Sequence, residues 1–405
     1  MIKKSHRIAI LGAGIMGSSL ALFLARRGVP VTLFDAAPQP MSCASRWNEG
    51  KIHLGFIYSG DDSLKTARQV LGGGLSFKPV LETLTGCSLD PVATMTDDIY
   101  LCHRQTVVQP DAMEDYFHRV AHLIHQHPDA GRYFVDVSNC RVGRLSSREL
   151  GAITDSPEIV AGFRVPERSV STNWVADRLI DALDSESKIE KCMGVHITAA
   201  RPAVASEVDG PWRLESRQGE FGSYDQVINA LWEGRLAIDQ TAGLRPAGPW
   251  SNRYRLSLFV RTAEPVDLPS AIIATGPFGD IKNYNQRDFY LSWYPSGLRM
   301  ESSDVTPPSP PSLDDAQQSA IQDDVLRHLE AILPGIAKIR QQRKSVALRG
   351  GWVFAAGQGA LSNPNSTLHR RSDFGAFRLG RYMSIDTGKY STAPSMALDI
   401  VNGLI

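Results

Sequence analysis

Three glycines and one aspartate near the start of the chain have the spacing of a dinucleotide-binding turn. An apolar run leads directly into a G-x-G-x-x-G arrangement formed by Gly12, Gly14 and Gly17, and a second apolar run ends at Asp35. In such a turn the glycines permit the tight bend, the approach of backbone to a pyrophosphate and the close packing of helix on strand. An acid about 20 residues further on binds a ribose hydroxyl and repels a 2′-phosphate. The sequence therefore predicts a bound dinucleotide and leaves its identity open.

The predicted secondary structure supplies the elements that must position these four residues. Residues 8–11 are consecutive apolar residues, which predicts a buried parallel strand, and residues 29–34 predict a second one. A helix is predicted between them over 16–27, and it ends at Gly28. Its amino end would direct backbone N–H groups and the positive end of the helix dipole at the phosphates. Chance glycines explain this poorly, because strand, turn, helix, second strand and acid occur in the right order.

The composition favours a small-molecule partner. Lys and Arg number 43 and Asp and Glu number 43 in 405 residues, so the net charge is zero and no basic field favours nucleic acid. The five cysteines are scattered and form no C-x-x-C pair, which is typical of reduced cytosolic thiols and predicts neither a disulfide framework nor a zinc site. No apolar run reaches the roughly 20 residues that span a bilayer, and residues 1–8 lack a signal-peptide cleavage site. We therefore expect a cytoplasmic protein that binds neither nucleic acid nor membranes.

A stripe of possible metal ligands on one predicted helix has a simpler explanation. The residues at helical spacing are Glu114, His118, His122, His125 and, close behind, His127. Nitrogen and carboxylate ligands that converge in this way could hold a metal ion. A solvated helix face is far more common, so no metal site is predicted.

The rest of the chain alternates between helical and strand-like segments. Helices are predicted over 63–85 (interrupted by Gly72–Gly74), 112–127, 171–185 and 312–333. Strand-like runs are predicted at 97–102, 194–199, 211–216, 224–231, 253–262 and 288–295. The chain ends with another glycine turn and helix. This order fits a nucleotide-binding domain built from separated segments, with a substrate domain inserted between them.

Four later segments carry a resemblance that extends over the whole chain. They are CASRWNEGKIHLGF at 43–56, the short strand Val195–Ile197, the strand end QVINALWEGR at 226–235 and the final TGKYSTAPSMALDIVNGLI at 387–405. Together with the first turn, they resemble in order the D-amino-acid oxidase/glycine oxidase superfamily of FAD enzymes, which includes sarcosine oxidases. Leu231 and Trp232 replace the Ala-Gly usual in that family. The first turn alone also resembles 3-hydroxyisobutyrate-type NAD dehydrogenases, but those need an all-helical second half, whereas this chain has aromatic strands there.

The resemblance implies a tightly held FAD. In the family the first turn and its acid bind the ADP half, a serine-containing segment passes the flavin, a short strand lies against adenine, and the C-terminal turn lies near the flavin edge. The FAD contacts implied for this chain are Gly12, Gly14, Ile15, Met16, Gly17, Asp35, Ala36, Ser45, Arg46, Asn48, Gly50, Lys51, Val195, His196, Ile197, Asn229, Ala230, Leu231, Trp232, Gly388, Lys389, Tyr390, Ser391 and Thr392. Amide donors from the C-terminal turn would stabilise negative charge on the reduced flavin.

The resemblance also implies a fold class and a domain arrangement. We expect an α/β protein with an FAD-binding Rossmann-like domain of the glutathione-reductase type and an inserted antiparallel-sheet substrate domain. The FAD-binding domain is expected to be discontinuous, over residues 1–60, 145–240 and 340–405. The substrate or cap domain is expected over 61–144 and 241–339.

The activity implied by the resemblance is oxidation of a C–N bond in a small-molecule amine or amino acid. Hydride would pass from the carbon bearing the amine to flavin N5, water would hydrolyse the resulting imine, and O2 is the expected electron acceptor. Departures from the housekeeping members favour a specialised substrate, such as a modified or N-substituted amino acid of secondary metabolism. The alternatives are an NAD-dependent hydroxy-acid dehydrogenase and a flavin-binding protein without turnover.

Five residues are candidates for chemistry at the flavin. Arg349 stands where glycine-oxidase-like enzymes carry an arginine for the substrate carboxylate, which a guanidinium binds in bidentate fashion. Lys51 stands where sarcosine oxidases place a basic residue beside the flavin, and His53 could line the ring or act as a base. Arg299 falls near the sarcosine-oxidase lysine associated with oxygen activation, and Tyr290 lies on a strand whose face could cover the site. The structural alternatives are an ion-paired arginine, a packed histidine and an aromatic core.

Overall fold

The protein, seen in a computed structural model, is described over residues 6–404 and contains two large sheets flanked by helices. The strands are β1 Ile8–Leu11, β2 Val31–Asp35, β3 Lys51–Ile52, β4 Asp98–His103, β5 Gly143–Arg144, β6 Ile159–Val165, β7 Arg168–Ser169, β8 Ile189–Met193, β9 Ile197–Pro202, β10 Trp212–Ser216, β11 Gly219–Tyr224, β12 Gln226–Asn229, β13 Trp250–Thr262, β14 Ala271–Ala274, β15 Gly279–Asn283, β16 Asp288–Trp293, β17 Leu298–Ser302, β18 Arg343–Ala356, β19 Gly375–Leu379 and β20 Tyr382–Asp386. The α-helices are α1 Ile15–Arg26, α2 Lys65–Thr85, α3 Pro110–His125, α4 Ser147–Ile153, α5 Thr172–Ser185, α6 Arg235–Ala242, α7 Tyr294–Gly297, α8 Asp315–Ile332, α9 Ile336–Gln342 and α10 Ala393–Leu404.

The first sheet is the predicted nucleotide-binding sheet. Its strand order is β19-β20-β12-β1-β2-β8, and every pair is parallel except β19 with β20. Strand β1 is fully buried and central, with Ile10 opposite Leu33 on one side and Ile228 on the other. Helix α1 packs against α10, and a separate antiparallel sheet of β9, β10 and β11 adjoins α6. The expected Rossmann-like fold is confirmed.

The second sheet has nine strands and is antiparallel except for the pair β4 and β14. Strand β13 is its main support, because β18 pairs with it along its whole length and β16 and β17 pair with its other edge. One face of this sheet is apolar and packs against α8 and α9. The opposite face is polar, and it is turned toward the segments that surround the first sheet.

The domain boundaries expected from the sequence differ from the observed elements in three places. Strand β6 lies within the expected FAD-binding range 145–240, and β18 within 340–405, but both are hydrogen-bonded into the second sheet. Helix α2 lies within the expected substrate range, but it packs on α1, α5 and α10. The reason is that the chain crosses repeatedly between the two sheets, and strand pairing rather than sequence order decides where each segment belongs. Residues 1–5 and 405, included in the expected ranges, lie outside the described residues.

The glycines predicted to interrupt helix α2 instead allow it to pack closely. The helix runs without a break through Gly72–Gly74. A Cβ added at Gly74 would lie 2.0 Å from the His53 carbonyl oxygen, and one at Gly73 would lie 2.9 Å from the Thr392 Cα. The helix therefore supports two of the segments expected at the flavin.

None of the helices within the described residues is long and apolar enough to cross a membrane. All five cysteines are free thiols.

Candidate active site

The turn between β1 and α1 leaves no room for side chains at two of its glycines. Gly12 has a φ of +96°, and a Cβ there would lie 2.9 Å from the carbonyl oxygen of Ala230. A Cβ at Gly17 would lie 1.8 Å from the Gly12 oxygen. The turn is therefore shaped by backbone, as a site for a pyrophosphate requires. Met16, which was expected to contact FAD, is buried beneath the turn.

A serine hydroxyl lies at the amino end of helix α1. The Ile15 N–H donates a hydrogen bond to Ser45 Oγ over 3.0 Å. A Cβ at Gly14 would lie 2.9 Å from the same oxygen atom. The helix dipole favours an anion at this end, so Ser45 and the free N–H groups of the turn can hold a phosphate together.

Asp35 is fixed at the carboxyl end of β2. Its carboxylate accepts hydrogen bonds from the N–H groups of Ala13, over 2.6 Å, and of Ala37, over 2.8 Å. The Val195 N–H donates to the Asp35 carbonyl oxygen, and His196 beside it is exposed. The acid thus links the glycine turn to the start of β9, where Ile197 is buried, and its remaining lone pairs can accept from a ribose. Ala36 is exposed.

Several predicted contacts in 43–56 shape this segment through their side chains. The Arg46 guanidinium donates to Asp177 Oδ1 over 2.8 Å, away from the first turn. The Asn48 amide donates to the Ala44 oxygen and accepts from the Gly50 N–H, both over 2.8 Å. These side chains already have protein partners, so only their backbone is free to line a cofactor.

Side chains at the end of β12 also have protein partners already. The Asn229 amide is fully buried and donates to Asp239 Oδ1, over 3.0 Å, and to the Tyr382 hydroxyl, over 2.8 Å. The Ala230 N–H donates to the Leu11 oxygen, and Leu231 packs against apolar neighbours. Trp232 donates from Nε1 to the Trp352 oxygen over 2.8 Å. The indole therefore ties the segment after β12 to β18.

The C-terminal turn, Gly388–Thr392, precedes α10, which packs on α1. Gly388 has a φ of +64°, and its N–H donates to Asp386 Oδ1 over 2.9 Å. Thr392 Oγ1 donates to the Lys389 oxygen over 2.7 Å. The Tyr390 hydroxyl and Ser391 Oγ are buried and have no partner among residues 6–404. Such unsatisfied buried groups are rare and indicate a missing partner, which fits a flavin held at this turn.

The polar face of the second sheet carries a row of charged and hydroxyl side chains. On β13, β15 and β16 they are Arg253, Arg255, Ser257, Asp280, Lys282, Tyr290 and Ser292. Residues directly opposite in an antiparallel pair share a face. Asp280 is opposite Ser292, and Lys282 is opposite Tyr290. Arg255 Nη2 donates to Ser292 Oγ over 2.8 Å, and the hydroxyls of Ser257 and Tyr290 are hydrogen-bonded over 2.9 Å. Tyr290 therefore lies on this polar face.

Two of the cations near this face have no carboxylate partner. Among residues 6–404, neither Arg255 nor Lys389 has a carboxylate within 4.0 Å of its side-chain nitrogens. The Lys389 Nζ lies 5.4 Å from the ring centroid of Tyr58. Burial, and next the charge of Arg371, lower the pKa of Lys389 to about 7. An anion that enters the site would restore the charged lysine.

Lys51 belongs to a buried ion cluster. Its ammonium pairs with Asp98 and, over 2.6 Å, with Glu167, while Lys282 pairs with the same Asp98 oxygen over 2.9 Å. The Leu54 N–H donates to Glu167 Oε1 over 2.7 Å. Burial opposes the charged lysine, but Asp98 and Glu167 raise the pKa of Lys51. The cluster therefore anchors β3 to the second sheet, and Lys51 is not free to bind a substrate.

His53 is buried beside this cluster as a neutral imidazole. Burial holds its pKa well below the ordinary value, and the charges of Lys389, Lys51 and Lys282 lower it further. Its Nδ1 has no partner among residues 6–404. It can therefore line the ring of a cofactor or exchange a proton there.

Arg349, Arg299 and the histidine stripe lie at the surface. Arg349 is exposed, and its guanidinium lies 5.8 Å from the ring centroid of Trp47, at the edge of the polar face. Arg299 is exposed on β17. On α3, His125 Nε2 contacts the Cys140 oxygen over 2.8 Å. Within the described residues, no three His, Cys, Asp or Glu side chains are grouped to hold a metal ion.

Sequence reasoning missed several residues that the fold brings together at this site. They are Glu49, Tyr58, Arg253, Arg255, Asp280 and Arg371. The only signal was the R-x-R spacing in NRYRLS within a predicted strand, which puts two cations on one face.

Known proteins resemble this chain in a short stretch of sequence and in the overall fold. A kynurenine 3-monooxygenase from Salinispora tropica is 38% identical over 60 residues, a match that spans 15% of this chain and only 13% of that relative. A glycine oxidase from Geobacillus kaustophilus has the same fold, with a TM-score of 0.66 and 15% identity over 98% of this chain and 95% of that one. An iminodiacetate oxidase from Chelativorans sp. BNC1 has a TM-score of 0.67 and 15% identity over the same shares.

The family model described as "DAO: FAD dependent oxidoreductase" matches residues 7–360, which is most of the chain. The protein therefore belongs to the DAO family of FAD-dependent oxidoreductases.

Proposed function

We propose that the protein oxidises a C–N bond of an amino acid or a secondary amine. The observation that carries this proposal is the unpaired pair of cations, Arg255 and Lys389, between the polar face and the C-terminal turn. Two convergent cations suit a carboxylate, and the family supplies the redox cofactor. The NAD-dependent alternative is set aside because the family uses FAD.

The chain's own residues would bind and orient the substrate. Bound FAD would accept a hydride from the carbon that bears the nitrogen. Arg255 and Lys389 would hold the carboxylate, and Tyr290 and Ser257 would cover the site from the sheet. The ion cluster around Lys51 would fix β3, so that neutral His53 stays at its position. The amino end of α10 would stabilise negative charge on the cofactor.

Arg349 remains a second proposed contact for the carboxylate. Arg349 lies directly opposite Ser257 in the β13–β18 pair and therefore on the polar face, with its exposed guanidinium near Trp47. If it binds the carboxylate, Arg349→Ala weakens carboxylate substrates much more than simple amines. Equal loss for both classes removes it from this role. Arg299 remains a proposed contributor to the reaction with oxygen, tested by the oxidation rate of reduced Arg299→Met.

We propose O2 as acceptor, a cytoplasmic location and an N-substituted or otherwise modified amino acid of secondary metabolism as substrate. The iminodiacetate oxidase among the structural neighbours acts, by its name, on an N-substituted amino acid, which supports including such compounds in a screen.

Anaerobic reduction of the flavin tests the proposed function. The FAD-loaded protein would be mixed with a panel of amino acids, N-alkyl amino acids and simple amines, and flavin bleaching would be followed. Bleaching by at least one amine is expected, with carboxylated amines favoured. A protein that keeps its flavin oxidised with every member would instead be a flavin-binding protein without turnover.

A further inference from the structure

Two carboxylates lie close to the cations of the site. Asp280 is on the polar face of β15, directly across from Ser292, which holds Arg255. Glu49 precedes β3, and the Tyr284 hydroxyl donates to its backbone oxygen over 3.0 Å. Within residues 6–404, the carboxylates of Asp280 and Glu49 accept no hydrogen bond and pair with no cation within 4.0 Å. Both residues are half-buried, so these carboxylates are open to a ligand.

A buried hydroxyl beside the carboxylates also lacks a partner. Tyr58 is 5% exposed, and its hydroxyl has no hydrogen-bond partner among the described residues. Burial raises its pKa, and Glu49 is close enough to contribute. A phenolic hydroxyl in such a place normally has a partner, so a polar ligand group is expected beside it, near Glu49 and Lys389.

Burial makes Asp280 a weaker acid than a free aspartate, with a pKa that still lies below neutral pH. Burial, and next Glu49, raise the pKa of Asp280 to about 6, against the opposing charges of Lys282, Arg255 and Lys51. Six titratable or charged groups face Asp280. They are Lys282 on its own strand, Tyr284 in the adjoining turn, Glu49 just before β3, Lys51 in β3, Arg255 on β13 and Tyr290 on β16. A proton acceptor works best when its pKa lies near the working pH.

We propose that Asp280, assisted by Glu49, binds the substrate ammonium and takes a proton from it, while Arg255 and Lys389 hold the carboxylate. This inference rests on the proposed function. It gives one site a pair of cations for a carboxylate and a pair of carboxylates for an ammonium, since the charges of Arg255 and Glu49 both act on Lys389 and on Asp280. An N–H bond of the ammonium breaks, its electron pair stays on nitrogen, and an O–H bond forms on Asp280. The amine left behind has the lone pair that oxidation of its C–N bond requires.

The first test compares two probes that differ by one group. N-methylglycine carries a carboxylate and an ammonium, whereas methoxyacetate has an ether oxygen in place of nitrogen. Their dissociation constants for the oxidised holoenzyme are measured from changes in flavin absorbance. In Asp280→Asn we expect N-methylglycine to bind roughly 10-fold more weakly or worse, since a hydrogen bond to a charged group is worth about 1.5–3 kcal/mol. Methoxyacetate should change by less than about 2-fold.

The matched control is Asp288→Asn on the neighbouring strand. Asp288 pairs with Arg261 at the end of β16, away from the cations of the site. Its loss should leave both probes unaffected. Equal weakening of both probes in Asp280→Asn would overturn the assignment, and so would the absence of any spectral change with either probe in the unaltered enzyme.

The second test is the pH profile of anaerobic flavin reduction by an amine found active in the panel. The unaltered enzyme should lose rate as pH falls through about 6. Asp280→Asn should be slower by about 100-fold at pH 7, the scale of a lost proton acceptor. Its rate should recover as pH rises toward the pKa of the free amine, which a merely structural defect would not show.

The outcomes separate the two proposals. If no amine reduces the flavin, the proposed function fails, while the two probes still report whether Asp280 binds an ammonium. If amines reduce the flavin and Asp280→Asn keeps the original pH profile, the proposed function stands and the role of Asp280 is wrong.

Discussion

Arg255 stacks on Tyr294, with its guanidinium carbon 4.5 Å from the ring centroid. The hydroxyl of the same tyrosine accepts a hydrogen bond from Arg253 Nη1 over 3.1 Å. One tyrosine thus holds two arginines from alternate positions of β13, one by its face and one by its edge. This arrangement keeps both guanidinium groups in place without a carboxylate partner among residues 6–404, and the energy of a cation–π contact between desolvated groups is about 2 kcal/mol.

We expect Arg255→Met to weaken carboxylate binding. The substitution keeps an unbranched apolar stem and removes the charge and the donors, so methoxyacetate should bind about 10-fold to 100-fold more weakly to the oxidised holoenzyme. Flavin difference spectra measure the change. Arg261→Met is the control, because Arg261 lies on the same strand and pairs with Asp288. Unchanged affinity in Arg255→Met would contradict the proposed carboxylate site.

The first cofactor turn was predictable because its chemistry is local. Gly12, Gly17 and Asp35 lie within one strand–helix–strand unit, whose order alone determines their approach. The substrate site is different, since it depends on the register between β13, β15 and β16 and on the return of β18 along β13. A shift of one residue would turn Arg255 to the apolar face. Arg349 was singled out by the resemblance to glycine-oxidase-like enzymes, and the register puts it on the edge strand β18, directly opposite Ser257.

The glycine turn gives a prediction about cofactor content. Gly12→Ala adds a Cβ 2.9 Å from the Ala230 oxygen at a φ of +96°, which side chains disfavour. The turn should shift, and the purified protein should carry at least roughly 10-fold less flavin, as expected for a strain of about 1–3 kcal/mol at the turn. The flavin absorbance per mole of protein measures this. Gly403→Ala in α10 is the control, since no atom lies within 4 Å of its added Cβ; full flavin content in both variants would argue against the pyrophosphate site.

Lys389 should make carboxylate binding depend on pH. Its pKa of about 7 lies below that of a free lysine, so the side chain is an ammonium below pH 7 and a neutral amine above it. A carboxylate prefers the ammonium, and its affinity must therefore fall as pH rises through this value. We expect methoxyacetate to bind about 10-fold more weakly at pH 9 than at pH 7. Titrations of the flavin spectrum check this, and a flat profile is expected in Lys389→Met. A slope that persists in that variant would assign the effect to another group.

The buried ion cluster should stabilise the attachment of β3 to the second sheet. Asp98 and Lys282 are both fully buried, and Asp98 serves Lys282 and Lys51 at once. Two lysines and the carboxylates of Asp98 and Glu167 balance in charge. Asp98→Asn leaves one ammonium without a counter-ion, and breaking a buried pair in this way costs about 3–5 kcal/mol. Urea unfolding of the holoenzyme should show this loss.

The control and the rescue follow from the same charge balance. Asp288→Asn removes a partly exposed pair with Arg261 and should cost less than about 1 kcal/mol. Asp98→Asn combined with Lys282→Met removes one charge of each sign and leaves Lys51 with Glu167, 2.6 Å apart. The double variant should therefore be more stable than Asp98→Asn alone, because no buried ammonium lacks a counter-ion. If instead the double variant loses as much stability as the Asp98→Asn and Lys282→Met variants together, charge balance between these two residues does not stabilise the cluster.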